Sequence, residues 1–242
     1  MTTYFISDLH LERIESPITN IFTAFLDDLN QNDSLYILGD LFESWIGDDN
    51  VSELSQYISD RLLMLSDRDI SVAIMHGNRD FLIGEDFCKA SSIELINDPR
   101  IIEIDTKKVM LTHGDELCTD DSEYQAFRSV VRNPLWQKDF LNFPISKREK
   151  IAGEAKDASK DSKENKAMEI MDVNTDAVLK AFNDQNIEIM IHGHTHRPNI
   201  HKVSNEGKNL TRYVLGDWSK NSAIILKWNK AEVELMDLAQ SH

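Results

Sequence analysis

The chain has 242 residues, a net charge of −16 and a hydrophobic fraction of 41%, which suits one core with an insertion. No run approaches the roughly 20 apolar residues of a membrane-spanning helix, and the acidic excess lacks the basic footprint of a general nucleic-acid binder. Two cysteines, Cys88 and Cys118, make neither a disulfide framework nor a metal-type pair. The first residues, MTTYFISDLH, carry no basic region and no apolar signal core, so the expectation is a cytoplasmic protein with reduced thiols.

Thr2–Ser7 reads as a strand. It is followed by Ile18, Ile21, Phe22, Phe25, Leu26 and Leu29, the stripe of an amphipathic helix. Ser34–Leu38 is a second strand, and a second helical stripe (Leu54, Tyr57, Ile58, Leu62, Leu65) leads to a third, Ile70–Met75. Ile101–Ile104 reads as a short partner of Lys107–Thr112. From Leu117 to Met171 the rhythm breaks: strand runs vanish, helix formers dominate, and Leu135, Trp136, Phe140, Leu141, Phe143 and Ile145 form an apolar cluster. That segment reads as a helical cap, residues 117–171, inserted into a core made of 1–116 and 172–242. Strands resume at Ile187–Ile191, Arg212–Leu215 and Ser222–Trp228, with Ala231–Met236 as a shorter partner. Alternating strand and helix predicts an α/β layered fold. From Arg128 to Lys166 ten Lys/Arg stand against six Asp/Glu, a locally basic stretch in an acidic chain.

Five short motifs each follow an expected strand: Asp8-Leu9-His10, Gly39-Asp40, Gly77-Asn78-Arg79-Asp80, His113-Gly114-Asp115 and Gly193-His194-Thr195-His196. In open α/β sheets, groups beyond the carboxyl ends of strands meet in one crevice. The four glycines there suit tight turns. Singly, these motifs are as compatible with helix caps and turns as with ligation. All five in order offer two carboxylates, an amide oxygen and four imidazoles, and point to one site. Oxygen and nitrogen donors without thiolate suit a catalytic Mn, Fe, Zn or Co centre. One carboxylate can bridge two ions for phosphoryl displacement, and Asp40, central between the two halves, is the candidate. Asp8 and His10, one residue apart in an extended segment, can chelate one ion, as can His194 and His196. The candidate metal ligands are therefore Asp8, His10, Asp40, Asn78, His113, His194 and His196. His192 is expected to be structural, His76 to orient neighbours, and His201 to have no role.

The pattern D-x-H, GD, GNxD, a strand-ending His and GHTH resembles the calcineurin-like metallophosphoesterases. The resemblance implies a four-layer α/β/β/α sandwich with two metals. It gives Asp8, His10, Asp40 and His196 to one ion and Asp40, Asn78, His113 and His194 to the other, with an activated water attacking phosphorus. The longer stretches ISDLHL, LGDLFE with WIGDD, HGNRDF, HGD with LCTDD, IMDVN and HGHTHRP are similar to a narrower family, the UDP-2,3-diacylglucosamine diphosphatases. Arg79 stands where many superfamily members carry His.

The narrower resemblance implies a manganese-dependent step of lipid A biosynthesis in a Gram-negative bacterium, carried out peripherally on the cytoplasmic face of the inner membrane. Water attack at the α-phosphorus of UDP-2,3-diacylglucosamine would give UMP and 2,3-diacylglucosamine 1-phosphate. Catalytic roles would fall on Asp40, Asn78, Arg79 and His113. Substrate contacts would map to Asn78, Arg79, Asp121, Ser159, Lys163, Lys166 and His194; Lys163 stands where relatives can carry Asn. Chemistry agrees: Arg79 offers a planar fork for phosphate, and Lys163 and Lys166 share a helix face. Asp121 can accept from a sugar hydroxyl or amide N–H.

The cap stretch Leu135–Lys150 can be read as a small cap core or as a chamber for two acyl chains with cations facing an anionic bilayer; the second is favoured. Two other functions stay open at this point. One is a metallophosphoesterase acting on a different nucleotide or phosphodiester. The other is an inactive binding scaffold of the same fold, against which the complete ligand set argues.

Overall fold

The structure is a computed structural model and describes residues 1–165, 172–205, 207–230 and 232–240. In the first half, β1 (Thr3–Ile6), β2 (Ser34–Ile37), β3 (Ser71–Ile74) and β4 (Glu94–Leu95) alternate with α1 (Pro17–Asp28), α2 (Glu53–Ser66) and α3 (Glu85–Ser91). A hairpin of β5 (Arg100–Ile104) and β6 (Lys107–Thr112) follows, then four helices, α4 (Ser122–Val131), α5 (Pro134–Leu141), α6 (Ile145–Asn165) and α7 (Thr175–Gln185). The chain ends on β7 (Ile189–His192), β8 (Asn199–Asn205), β9 (Lys208–Val214), β10 (Ile224–Asn229) and β11 (Glu232–Asp237).

The strands form two mixed sheets, ordered β11-β10-β1-β2-β3-β4 and β5-β6-β7-β9-β8. Successive strand side chains point to opposite faces, and here both faces are buried. Phe5, Leu38 and Met75 meet Val109, Leu111 and Ile191 between the sheets. On the far side of the first sheet, Ile6, Ile37 and Ile74 pack against Phe22 and Leu26 of α1 and Ile58 and Leu62 of α2. On the far side of the second, Met110 and Met190 pack against Val178 and Phe182 of α7. Four layers result, α/β/β/α, as the sequence implied. Each fully buried side chain of this size contributes about 1.5–3 kcal/mol.

Local signals set the helix starts. Ser16 accepts the Thr19 N–H at 3.1 Å ahead of Pro17, and Ser52 forms a capping box with Ser55. Three strand expectations are corrected. The one placed at Ile187 begins at Ile189, because the Ile187 N–H still donates to Phe182 O at the end of α7. The one placed at Arg212–Leu215 is the longer β9, paired with an unexpected antiparallel edge strand, β8. The one placed at Ala231 is described from Glu232, Ala231 lying outside the described residues.

Helices α4–α6 lie in sequence between β6 and β7 of the second sheet. They pack Phe140, with Trp136, Ile145 and Ile151, against the core of the first sheet and its helices and add polar clamps. The buried Arg148 of α6 donates from Nη1 to Ile46 O at 2.6 Å and to Asp49 Oδ1 at 2.7 Å, and pairs through Nη2 with Asp49 Oδ2. Arg132 of the residue capping α4 donates to Gly77 O at 2.9 Å. Among the described residues no helix is long and apolar enough to cross a membrane.

Candidate metal centre

All five motifs lie just beyond the carboxyl ends of β1, β2, β3, β6 and β7, as the strand–motif order implied. The loops after β1 and β2 run side by side, with Asp8 N–H donating to Gly39 O at 3.1 Å and His10 N–H to Asp40 O at 3.0 Å. The loop after β7 is tied in by Gly193 N–H to His113 O at 3.0 Å, and the loop after β9 by Trp218 N–H to Asp8 O at 3.1 Å. Asp8, His10, Asp40, His194 and His196 all have φ between 50° and 65°. Side-chain-bearing residues avoid that region at a cost of about 1–3 kcal/mol each, and they persist in it only where their surroundings over-determine them. Two glycines explain how close the loops come. A Cβ on Gly77 would lie 2.1 Å from Asp40 Oδ1, and one on Gly193 would lie 2.3 Å from Asp8 Oδ2. Neither residue has a positive φ, so close approach, not turn geometry, calls for glycine there.

Donor atoms gather in overlapping groups. Asp8, His10 and His196 place one ligand atom each within 4.8 Å of the others, and so do Asp8, Asp40 and His113. His196 Nε2 is 3.4 Å from Asp8 Oδ1, and His10 Nε2 is 4.0 Å from Asp8 Oδ1 and 3.8 Å from Asp40 Oδ2. On the other side, Asn78 Oδ1 lies 3.1 Å from His113 Nε2 and 2.8 Å from His194 Nδ1, while His113 Nε2 is 3.9 Å from Asp40 Oδ2. The donor set fits divalent cations: hard carboxylate and amide oxygens with borderline imidazoles and no thiolate. Asp8 Oδ1 is buried without a hydrogen-bond partner among the described residues, the cost of which a cation at that point would remove.

Surrounding groups fix these side chains. His113 Nδ1 donates to Leu38 O at 2.9 Å, which turns Nε2 toward Asn78 and Asp40. His10 Nδ1 sits 3.0 Å from Glu43 Oε2, and His196 Nδ1 is 3.7 Å from Asp217 Oδ2. Asp8 Oδ2 accepts from Ser7 Oγ at 2.5 Å and His194 N–H at 2.9 Å. Asp40 Oδ1 accepts the Arg79 N–H at 2.7 Å. The fully buried Asp80 accepts the N–H groups of Gly77 at 2.9 Å, Asp40 at 3.2 Å and Leu41 at 2.7 Å, which holds two motif loops in one register. Asp115, also buried, accepts from Tyr124 Oη at 2.6 Å and Arg128 Nε at 2.9 Å. Glu43, Asp80, Asp115 and Asp217 were not singled out from sequence. Asp80 and Asp115 sit inside the short motifs and Glu43 ends the LGDLFE stretch, whereas Asp217 carries no local signal.

Burial dominates the titration of the metal-free centre and neighbouring charges decide the direction. Burial works to raise Asp8, yet His196, His113 and His10 hold its carboxyl well below the usual range. Asp40 is pushed up to about 6 by burial, with Asp80 and Asp8 adding to the rise against His113 and His10. Burial disfavours the His113 proton, but Asp40, Asp115 and Asp8 outweigh it and raise this imidazole to about 9. His194 goes the other way, down to about 3, through burial and the charge of His113. Imidazoles bind metal deprotonated, so a cation held by His113 would have to displace its proton.

The remaining expected residues fall as follows. Arg79 is half-buried at the rim, near enough to Glu43 to help lower its carboxyl. Asp121 caps α4, accepting the Tyr124 N–H at 3.0 Å. Ser159 and Lys163 lie on the last turns of α6, where only the backbone is described, and Lys166 lies outside the described residues. His192 is buried, its Nε2 accepting from Arg212 at 3.0 Å and its Nδ1 donating to Gly193 O at 2.8 Å, a framework residue. His76 Nε2 donates to Ile83 O at 2.7 Å, and His201 lies on β8.

The calcineurin-like phosphoesterase family model matches residues 1–198. Among curated relatives, a UDP-2,3-diacylglucosamine hydrolase of Marinobacter nauticus is 45% identical over 222 residues, 91% of each chain. Proteins with the same name from Pectobacterium carotovorum and Haemophilus influenzae are each 44% identical, covering 98% and 95% of both chains respectively.

Proposed function

The chain belongs to the calcineurin-like phosphoesterase family, and from that premise we propose that it hydrolyses the pyrophosphate of UDP-2,3-diacylglucosamine. Water attacks the α-phosphorus, giving UMP and 2,3-diacylglucosamine 1-phosphate. One observation carries the hydrolytic reading: two carboxylates and three imidazoles from four separate strand ends converge in two overlapping donor groups. The name shared by relatives that align along almost the whole chain supports the substrate.

Asp8, His10, Asp40 and His196 would hold one divalent ion; Asp40, Asn78, His113 and His194 would hold a second; Mn2+ suits both sets. When bound, the pair supplies Lewis acidity to the phosphoryl oxygens and lowers the pKa of a nucleophilic water. The protein's part is positional. Asp40 is shared between the halves, its Oδ1 fixed by the Arg79 N–H. Arg79 presents a planar fork to the substrate phosphate. Asn78 and His194 line the same face, and Asp121, Ser159, Lys163 and Lys166 would contact the glucosamine phosphate. The 117–171 segment is the cap in this reading, its Trp136 and Phe140 rings stacked at 5.0 Å and offering an apolar wall to acyl chains. The enzyme would work peripherally on the cytoplasmic face of the inner membrane, where its substrate partitions.

Hydrolysis in oxygen-18 water, read by mass, tests this directly. Label in UMP supports α-attack. Label in the lipid phosphate would overturn the stated mechanism, and no UMP release at all would move the substrate to another nucleotide or phosphodiester. Chelation should abolish turnover and Mn2+ restore it.

A further inference from the structure

The two sides of the centre are anchored differently. His113 is oriented by a backbone carbonyl, Leu38 O, part of the first sheet's rim. His10 instead faces a side chain at ion-pair distance, Glu43, whose carboxylate is divided: Oε2 lies 3.0 Å from His10 Nδ1 and Oε1 lies 2.9 Å from Lys156 Nζ. Lys156 belongs to α6 and also reaches Glu12 Oε1 at 3.3 Å. We propose that Glu43 is a positioning residue that couples the docking of helix α6 to the orientation of His10. It rests on the metal reading above and adds a link between the cap and one ion.

Geometry separates this bridge from ordinary surface pairing. Glu12 is mostly exposed, and a pair of that kind contributes about 0–1 kcal/mol. Glu43 has a side chain only 16% exposed, so its two oxygens have few other partners. With Oε1 held by Lys156, rotation of the carboxylate is blocked and Oε2 stays on His10. If α6 moves away, that restraint goes and the His10 ring is free to turn. Glu43 and Lys156 also face a cavity of about 720 Å³ that Leu11, Phe42 and Trp45 help to line. The bridge therefore crosses the wall between that cavity and the metal ligands. Whatever repositions α6 across the cavity is transmitted to His10 through one carboxylate.

Mn2+ titration by calorimetry and hydrogen exchange over residues 145–158, on the full chain, decide the matter without any lipid substrate. Substitution of groups that orient a ligating histidine typically weakens metal binding about 10–100-fold, and Glu43→Gln is expected at the lower end of that range. Lys156→Met should weaken one of the two Mn2+ sites about threefold to tenfold, with Lys156→Arg restoring it, because only the cation is being varied. By reciprocity, Mn2+ should slow exchange in α6 of the unmodified protein and of Lys156→Arg but not of Lys156→Met. Melting temperatures establish that the variants fold; should Glu43→Gln fail, the two Lys156 variants at the exposed end of the bridge decide alone. Unchanged Mn2+ affinity in Lys156→Met, or α6 exchange indifferent to Mn2+, overturns the coupling. An unmodified chain that binds no Mn2+ overturns the metal reading together with it, whereas normal coupling in a protein that releases no UMP overturns only the substrate.

Discussion

The metal centre and the helices α4–α6 are built on opposite principles. At the centre, every candidate ligand emerges from a strand buried on both faces, and backbone and side-chain bonds fix it from several directions. The helices instead present apolar side chains outward, with Leu135 72% exposed and Val130 52% exposed. They meet the core through a narrow apolar seam around Phe140 and a few long charged side chains, Arg132, Arg148 and Lys156. The difference teaches where each property resides. Reaction chemistry needs groups fixed to within a fraction of an ångström and sits on the rigid strands. In the proposed reading, choice of substrate sits instead on the helices, outside the sheets.

Substitutions can break that division or sharpen it. The largest expected effect is at Asp40: Asp40→Ala should lower kcat/KM by about a thousandfold or more, accompanied by loss of bound metal measured by elemental analysis. Catalysis retained at a tenth of the original would remove Asp40 from the shared position. Next comes pH. His113, raised to about 9, must lose its proton to ligate, so Mn2+ affinity should climb about tenfold or more from pH 7 to 8.5, with proton release seen in buffers of different ionisation enthalpy. An affinity flat across that interval would exclude His113 as a ligand. In the metal-free chain the same raised value makes protonated His113 stabilising. That contribution is complete below the ordinary 6.5 and lost as pH rises through about 9.

A smaller effect should expose the other half of the comparison. Trp136→Ala removes one ring of the Trp136–Phe140 stack and should lower kcat/KM for the diacylated substrate about tenfold, sparing a small aryl phosphodiester. Equal losses on both would make the residue a folding element instead. The smallest is Ser16→Ala, which deletes the cap accepting from Thr19 N–H. About 1 kcal/mol is at stake, a fall of about 2–4 °C in Tm for a chain of this length, with kcat untouched.

Fold class was legible because β1, β2, β3, β6 and β7 carry dense apolar runs that only buried strands need. The edge strand β8 was not: Asn-Ile-His-Lys-Val-Ser-Asn lies largely exposed, and nothing in its composition distinguishes it from a loop. At the site, the meeting of the seven candidate residues was legible since each follows a strand and pairs with a glycine or another donor. Their placement reflects a general rule, that parallel strand ends converge. Asp217 was illegible because an isolated acid takes its meaning from whichever histidine the fold brings beside it, and Glu43, though it ends the LGDLFE stretch, gave no sign that it would lie beside His10. Asp80 is intermediate. Its motif was noticed, but sequence could not reveal that its carboxylate would span three backbone N–H groups of two loops.

The pairing of β1 with β10 sets an order on biosynthesis. Thr3 lies opposite Trp228 and Phe5 opposite Leu226, so the strand that carries Asp8 toward the centre is flanked on one side by residues made more than two hundred positions later. Until those residues leave the ribosome, β1 has an open edge able to pair with a neighbouring nascent chain. Metal loading is consequently a late event: His194, His196 and the Trp218 N–H that grips Asp8 O all arrive in the final fifth of translation.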